Sequence, residues 1–146
     1  MIILINASII LLTLAGMEAF SWFIHKYLFH GPLWFIHKTH HSSKPKFLEL
    51  NDIFSFLFAA ISLFLMFIGK ETLNFWFWIG VGISLYGIIY FIFHDGFIHN
   101  RFSVFKSSNR YLSGIKRAHK MHHKSLHKEN STEFGLLSAS RKYFRK

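Results

Sequence analysis

Three long stretches without a charged residue constrain the fold of this chain more than any other feature. They run from Met1 to Met17, from Ile53 to Gly69 and from Thr72 to Phe93. A helix that crosses a bilayer needs about 17 to 25 mostly apolar residues, so each stretch is long enough. The chain has 146 residues and 51% of them are hydrophobic, which suits one domain and disfavours a small water-soluble globule. The sequence predicts an all-α integral membrane bundle with about three transmembrane helices, and a single domain over residues 1–146.

The basic residues predict how this bundle is oriented. Of the 17 Lys and Arg residues, four lie between Lys26 and Lys46 and twelve follow from Arg101 onward. Positive residues favour the cytoplasmic side, so we expect both regions there. This topology and contact with anionic membrane lipids explain the formal net charge of +10, and we expect no nucleic-acid partner. Because no basic residue precedes Ile2, the first stretch is expected to be an anchor and not a cleaved signal peptide.

Ten of the eleven histidines fall into four spaced boxes. Two boxes have the pattern H-x4-H and two have the pattern H-x2-H-H, and the two patterns alternate along the chain. The boxes are His25 and His30, then His37, His40 and His41, then His94 and His99, and finally His119, His122 and His123. The eleventh histidine, His127, lies outside the pattern and is expected at the surface. Since all four boxes follow or begin at the inward ends of the spans, we expect a histidine-rich cytoplasmic cap that binds metal.

The spacing within each box indicates how it would bind metal. In an H-x2-H-H box, residues i, i+3 and i+4 share a helix face, so the box can offer two imidazoles to one metal and the third to its neighbour. The H-x4-H spacing does not align on an ideal α-helix, so we expect a helix end or local unwinding there. Two metals sharing ten ligands would have five each, which leaves about one open octahedral position apiece, as in a catalytic site. Imidazoles alone suit iron, zinc, copper and nickel.

Other residue types narrow the chemistry. The chain has no Cys, which excludes disulfides, Cys-ligated iron–sulfur clusters and a cysteine nucleophile. Asp95 directly follows His94 and is the candidate for orienting that imidazole, with a plain helix-end residue as the alternative. Glu18 lies in the first span, seven residues before His25 and nearly on its helix face. An acid at that depth is costly, so Glu18 either serves the function or pairs with a polar neighbour.

Several residues are expected to end or begin helices. Gly31 and Pro32 should end the first helix shortly after His30. Asn51 or Asp52 should cap the second helix at its N-terminus, and Gly69 should end it.

Two further segments have a predicted role in packing. In the third span, Gly80, Ser84 and Gly87 form a face of small residues that allows another helix to approach closely. The segment Tyr111–Lys128 has helical potential but too many charges to span a membrane, so we expect it in the cytoplasmic layer.

Five strings around the boxes carry a resemblance to a known family. They are MEAFSWFIHKYLFHGPLWFIHKTHH (Met17 to His41), ELNDIFSFLFA (Glu49 to Ala59), HDGFIHNRF (His94 to Phe102), AHKMHH (Ala118 to His123) and EFGLLSA (Glu133 to Ala139). They resemble the bacterial beta-carotene hydroxylases, which belong to the membrane fatty acid hydroxylase and sterol desaturase superfamily. The boxes alone are specific to the superfamily, whereas H-x4-H in the first and third boxes, with the intervening strings, indicates the carotenoid branch.

The resemblance implies a non-haem di-iron monooxygenase in a bacterial plasma membrane. Such an enzyme inserts one oxygen atom from O2 at carbon 3 of the beta-ionone ring, converting beta-carotene through beta-cryptoxanthin to zeaxanthin. The ten box histidines would hold two iron ions. The chain has no flavin or dinucleotide fingerprint, so electrons would come from an external donor of the ferredoxin type.

The implied partners suggest two surfaces. A carotenoid can be delivered only from the bilayer, so we expect a cleft between the spans. Its candidate wall residues are Phe54, Phe56, Phe75 and Phe91. Each of them could instead face lipid or belong to the core. An acidic ferredoxin would be attracted by a basic surface, and the candidate residues for it are Lys116, Arg117, Lys120 and Lys124. The alternative is that these residues form a solvated helix face or contact lipid.

Two other functions stay open. The first is a lipid or sterol hydroxylase or desaturase with the same metal centre. The second is a non-catalytic protein that handles or transports metal. Transport would predict ionisable residues lining the spans, and only Glu18 interrupts them, which disfavours the second function.

Overall fold

A computed structural model describes residues 1–42, 48–102, 105–125, 128 and 131–145, and within these ranges it contains helices and no strand. The α-helices are α1 (Ile2–Ile24), α2 (Trp34–His37), α3 (Asp52–Gly69), α4 (Phe75–Tyr90) and α5 (Arg110–His122). Two π-helical segments extend α1 and α4, and a 3-10 turn forms near the C-terminus; they are His25–Phe29, Phe91–Ile98 and Arg141–Phe144. His127 lies outside the described residues.

Three helices are long and apolar enough to cross a membrane, which confirms the predicted number. They are α1 with its extension, α3, and α4 with its extension. The third begins at Phe75 and not at Thr72, because the Asn74 side chain caps it by accepting a hydrogen bond from the Trp76 backbone N–H at 3.0 Å. Helix α4 packs between α1 and α3.

Small residues bring α3 and α4 together. The Ser62 hydroxyl donates to the Gly80 carbonyl at 2.7 Å, and its oxygen lies 2.6 Å from that of Ser84. A Cβ on Gly80 would lie 2.7 Å from the Ser62 carbonyl oxygen, so the close approach needs glycine. The predicted face is therefore confirmed at Gly80 and Ser84. It is wrong at Gly87, where a Cβ would meet nothing within 4 Å because that side of α4 faces outward.

Both H-x4-H boxes lie on π-helical turns. The His30 backbone N–H donates to the His25 carbonyl at 3.0 Å, and the His99 N–H donates to the His94 carbonyl at 2.9 Å. These bonds join residues i and i+5, which is the π-helical pattern and is frequent at functional sites. The expected unwinding is thereby confirmed, and it places both histidines of each box on one face.

The helix ends agree with the sequence in most places. The first helical run ends at Phe29, and at the next turn a Cβ on Gly31 would lie 1.9 Å from the Tyr27 carbonyl oxygen, so that position needs glycine. Helix α3 ends at Gly69 as expected. Helix α5 ends at His122 and not near Lys128, because the chain turns at His123.

The predicted cap of α3 is partly wrong. Asn51 precedes the helix but its side chain makes no capping hydrogen bond. Its amide oxygen instead accepts from His37 Nδ1 at 2.8 Å, so a tertiary partner takes the place of the local one. Asp52 accepts from the Glu49 backbone N–H at 2.9 Å and so does support the start of the helix.

The apolar core lies between the spans and the histidine boxes. Its buried residues are Tyr86, Phe97, Ile98, Ile115 and Leu136. Helix α5 turns Ile115 and Ala118 toward this core and exposes Arg117 and Lys120. The core thereby joins α4, its π extension, α5 and the C-terminal segment beneath the boxes.

Candidate metal centre

The structure brings all four histidine boxes together at one end of the bundle. Within the described part of the chain, nine of these histidines form two groups whose ligand atoms lie within 4.8 Å of one another. Group A consists of His25, His30, His37, His41 and His122. Group B consists of His40, His94, His99 and His119. The tenth, His123, lies against group B, with its Nε2 atom 2.9 Å from that of His119.

The boxes are divided between the groups as their spacing predicts. Each H-x4-H box stays whole, the first in group A and the third in group B. Each H-x2-H-H box is split: its i and i+4 members lie on one side, and its i+3 member belongs to the other group. The histidines given to the other group are His40 and His122. Each H-x2-H-H box therefore contributes histidines to both groups.

Three histidine pairs carry the geometry of a cation site. Their Nε2 atoms lie 3.1 to 3.2 Å apart in the pairs His25–His37, His40–His94 and His30–His122. In each of these rings the other nitrogen contacts an oxygen that can only accept, so Nδ1 carries the proton and Nε2 is bare. Two bare lone pairs at this distance repel unless a cation lies between them.

The distances between the Nε2 atoms also indicate a coordination geometry. Two nitrogens each about 2.1 Å from one metal lie about 3.0 Å apart at right angles, against about 3.4 Å in a tetrahedron. The 3.1 Å of the His25–His37 and His40–His94 pairs is nearer the first value, and the 3.2 Å of the His30–His122 pair lies midway. His41 Nε2 is buried and has no hydrogen-bond partner among the described residues, as a ligand awaiting a metal would be. The donor set therefore fits metal ions with more than four ligands.

Neutral oxygens support group A from behind. Every one of its five Nδ1 atoms contacts such an acceptor, at 2.8 to 3.2 Å. The acceptors are the backbone carbonyls of Ser125, Lys128, Thr132 and Phe134 and the side-chain amide of Asn51. Four of the five follow α5 in the chain. Sequence reasoning missed them, because a backbone carbonyl has no signature in residue type.

Carboxylates support group B. His94 Nδ1 donates to Asp95 at 2.8 Å, so the side chain of Asp95 occupies the orienting position that the sequence suggested. His40 Nδ1 donates to Glu49 at 2.8 Å. Glu49 was missed, although it begins one of the quoted strings. A carboxylate behind a metal-ligating imidazole fixes its tautomer and raises its basicity.

Arg101 joins these carboxylates into one network. Its guanidinium lies 2.5 Å from Glu49, 2.8 Å from Asp52 and 3.8 Å from Asp95. The side chain of Arg101 is only 8% exposed, so these pairs are shielded from solvent. With one cation and three carboxylates, the network would carry a net charge of −2 and would partly offset bound metal ions.

Burial keeps the imidazoles neutral. It lowers the pKa of His37 to about 2, of His122 to about 3 and of His41 to about 4, and neighbouring histidines lower each further. In group B, burial is again the main cause that lowers the pKa of His99, to about 4, with the Arg101 charge next. Only a neutral imidazole can bind a metal, so both groups are ready to do so near pH 7.

A small cavity lies between the two groups. It has a volume of about 40 Å³ and is lined by histidines of both groups. Its other walls include Ser21, Phe29, Tyr90 and Phe134. The Tyr90 hydroxyl lies 3.2 Å from His94 Nε2, so it reaches the same space as the ligand atoms. A water needs roughly 10–15 Å³ of such volume, so the cavity holds water-sized molecules and not a six-membered ring.

Comparison with known proteins gives the family. The model of the fatty acid hydroxylase family matches residues 10–140. This chain belongs to the fatty acid hydroxylase family. It is similar to the beta-carotene hydroxylase of Pantoea ananas, with 38% identity over 92% of this chain and 77% of the relative. The enzymes of that name from Pseudescherichia vulneris and Paracoccus sp. (strain N81106 / MBIC 01143) are 35% and 33% identical, over 93% and 92% of this chain and 78% and 84% of the relatives. No solved structure matches.

Membership confirms the resemblance found in the five strings, and it makes this chain a hydroxylase. The predicted aromatic walls differ from those that the structure shows. None of the four phenylalanines lines the cavity. Phe56, Phe75 and Phe91 are at least half exposed on the outer surface, and Phe54 packs on Phe29 with ring centroids 4.3 Å apart. The phenylalanines that line the cavity are Phe29 and Phe134, which the sequence analysis did not single out.

The four residues of the expected basic surface have two different roles in the structure. Lys116 donates to the Phe97 carbonyl and Arg117 donates to the Tyr143 carbonyl, so both hold the fold together. Lys120 and Lys124 are exposed. The part of the surface that faces outward is therefore smaller than the sequence suggests.

Proposed function

We propose that this chain is a beta-carotene 3-hydroxylase. It would insert one atom of O2 at carbon 3 of the beta-ionone ring, giving beta-cryptoxanthin and then zeaxanthin. Each insertion consumes one O2, two electrons and two protons and releases one water. The observation that carries the proposal is the convergence of bare imidazole nitrogens in two groups at one end of three apolar helices. The names of the similar bacterial enzymes supply the substrate class.

The protein's part in this reaction is to hold and orient. Groups A and B would each hold one iron ion, which when bound supplies the activation of O2 needed to attack an unreactive C–H bond. The outward Nδ1 hydrogen bonds fix each ring so that its Nε2 atom faces inward. Asp95 and Glu49 are positioning residues for His94 and His40. The Tyr90 hydroxyl would supply a hydrogen-bonding group at the cavity wall, 3.2 Å from His94 Nε2.

The remaining parts of the proposal concern location and supply. The histidine end would lie on the cytoplasmic face of a bacterial plasma membrane, because basic residues flank it. Residues 1–146 would form one domain. A ferredoxin-type protein would deliver the electrons, with Lys120 and Lys124 as exposed contact residues. The carotenoid would come from the bilayer.

Expression in a bacterial host that accumulates beta-carotene tests the substrate. We expect conversion to zeaxanthin, seen by chromatography of the pigments, and two iron ions for each purified chain. The His40→Ala variant should be produced in the membrane and leave beta-carotene unchanged, and His127→Ala, outside the boxes, should behave as the wild type.

The same cells distinguish the alternatives. Unchanged beta-carotene together with newly hydroxylated or desaturated membrane lipids would replace the carotenoid by a lipid, as the family description also allows. Bound iron without any oxygen-dependent product would point to a metal-handling protein.

A further inference from the structure

The carboxylate of Glu18 has more hydrogen bonds than any simple packing role requires. The Tyr86 hydroxyl donates to its Oε2 atom at 2.9 Å. Its Oε1 atom accepts from the backbone N–H groups of Leu137 at 2.9 Å and Ser138 at 3.1 Å, and from the Ser138 hydroxyl at 3.0 Å. A carboxylate within an apolar span is costly. Four hydrogen bonds to a charged acceptor offset that cost.

Glu18 thus fastens a distant part of the chain, residues 132–138, which we name the cap. The other end of the cap supports group A. The Thr132 carbonyl accepts from His122 Nδ1 at 2.8 Å, and the Phe134 carbonyl accepts from His25 Nδ1 at 3.0 Å. The Phe134 ring also packs against histidine rings of group A, with centroids 5.2 to 5.4 Å apart.

The cap is tightly folded between these two attachments. A Cβ on Gly135 would lie 2.2 Å from the Ser138 hydroxyl oxygen and 3.2 Å from Glu18 Oε1, so the turn needs glycine. Phe134 and Gly135 line the small cavity on one side and a groove of about 690 Å³ on the other. The cap is therefore a wall between the cavity and this groove, and Glu18 fixes where the wall lies.

We propose that Glu18 is a positioning residue for group A. It holds the cap on the first span, and the cap's carbonyls hold His25 and His122 in the orientation that turns Nε2 inward. The inference rests on the proposed metal site but not on the carotenoid substrate. Since the cap supports no histidine of group B, the effect of Glu18 is confined to one of two metals.

Metal titration of the purified, metal-free protein in detergent tests this. The wild type should bind two equivalents of Co²⁺, followed by the visible absorption of each bound ion. In Glu18→Ala, one equivalent should bind about 10- to 100-fold more weakly, as is typical when a supporting residue of a ligand is lost, and the other should be unchanged. Glu18→Gln keeps an acceptor oxygen and should restore affinity to within a few-fold. Glu71→Ala is the matched control, because that side chain is 85% exposed in the link between α3 and α4.

Variants of the groups identify which equivalent is affected. In a His40→Ala background, which disables group B, Glu18→Ala should weaken the remaining site. In a His122→Ala background, which disables group A, it should add nothing. Equal weakening of both equivalents, or no weakening, would overturn the proposal. If Glu18→Ala does not fold, Ser138→Ala removes one of the four bonds and should weaken the same equivalent to a smaller extent.

The outcome separates this inference from the proposed function. Two bound metals with the expected Glu18 effect, but no conversion of beta-carotene, would leave the positioning role intact and reject the substrate. Unaltered metal binding in Glu18→Ala, with normal zeaxanthin production by the wild type, would do the opposite. A wild-type chain that binds no metal would overturn both.

Discussion

The two groups are both built from histidines, but different oxygen atoms hold their Nδ1 atoms. Group A is backed by four backbone carbonyls and one amide, all neutral. Group B is backed at two rings by the carboxylates of Glu49 and Asp95, which Arg101 links. Carboxylates raise the basicity of the imidazoles they contact, so group B should be the stronger electron donor to its metal. Two sites built from histidines alone can thus differ in metal affinity because of the groups that hydrogen-bond to their Nδ1 atoms.

The largest expected effect comes from removing one ligand of either group. His40→Ala in group B and His122→Ala in group A should each lower hydroxylation more than about a hundredfold, beyond the usual effect of losing a supporting residue. Each should also reduce bound iron from two ions to about one, measured by elemental analysis. Activity retained by either variant would contradict the view that both groups are needed.

Replacing Arg101 should affect group B alone. In Arg101→Met three buried carboxylates lose their cation, which is expected to lower the free energy of unfolding by about 3 kcal/mol. Thermal unfolding in detergent measures this, and metal titration should show group B weakened and group A unchanged. Arg141→Met is the control, because Arg141 is an exposed arginine in the C-terminal 3-10 turn. Equal weakening of both groups would remove the distinction between them.

Exchanging the carboxylate behind His40 for an amide should make group B resemble group A. In Glu49→Gln the acceptor oxygen can stay but the charge is lost, so the metal of group B should bind about 10- to 100-fold more weakly. Competition with a chelator of known affinity measures the change. Glu71→Gln should have no effect, and a variant of Glu49 with unchanged affinity would show that charge does not distinguish the groups.

The reverse exchange in group A should have a smaller effect. Asn51→Asp places a carboxylate behind His37, which already donates to the Asn51 oxygen at 2.8 Å. We expect the metal of group A to bind about threefold to tenfold more tightly, less than the full range for a supporting residue. Weaker binding in the same chelator assay would mean that the buried charge costs more than the imidazole gains.

Acid should have the smallest effect and should not distinguish the groups. Burial lowers the pKa of His41 in group A and of His99 in group B to about 4. A folded histidine with a lowered pKa keeps its lone pair until the pH approaches that value, while the unfolded chain takes up protons from about pH 6.5 downward. Folding stability should therefore begin to fall at about pH 6.5, whereas the zinc affinity of the folded protein should change less than about threefold from about pH 7.5 to 5.5 and fall only toward pH 4. A tenfold loss in one group by pH 5.5 would show that its histidines are more accessible than the other's.

The convergence of the histidine boxes was predictable from the sequence, while most of the groups that support the histidines were not. Residue type and spacing define the boxes, so the divided H-x2-H-H boxes and the unwound H-x4-H turns could be predicted. The carbonyls of Thr132 and Phe134 could not, because every residue has one and only the path of the chain selects these. Glu49 was visible as an acid, but no rule of spacing pairs it with His40.

Two errors in the fold have the same physical origin. Asn51 has the residue type of a helix cap, yet a tertiary partner, His37, takes its side-chain oxygen. Gly87 continues the small-residue spacing of α4, yet that spacing does not say where the neighbouring helix ends its contact. Local patterns predict elements well, and tertiary contacts decide how a side chain is used.

The π-helical turns link the spacing of the histidines in two boxes to the local helix geometry. Each turn contains one residue more than an α-helical turn would, and that extra residue is what brings His25 onto the face of His30 and His94 onto the face of His99. On an α-helix the same five-residue step would turn the second histidine about 140° away from the first, so the H-x4-H spacing works only with this wider turn. During evolution an insertion inside either box would therefore separate its histidines, whereas a deletion would keep them together only if the wider turn were lost at the same time.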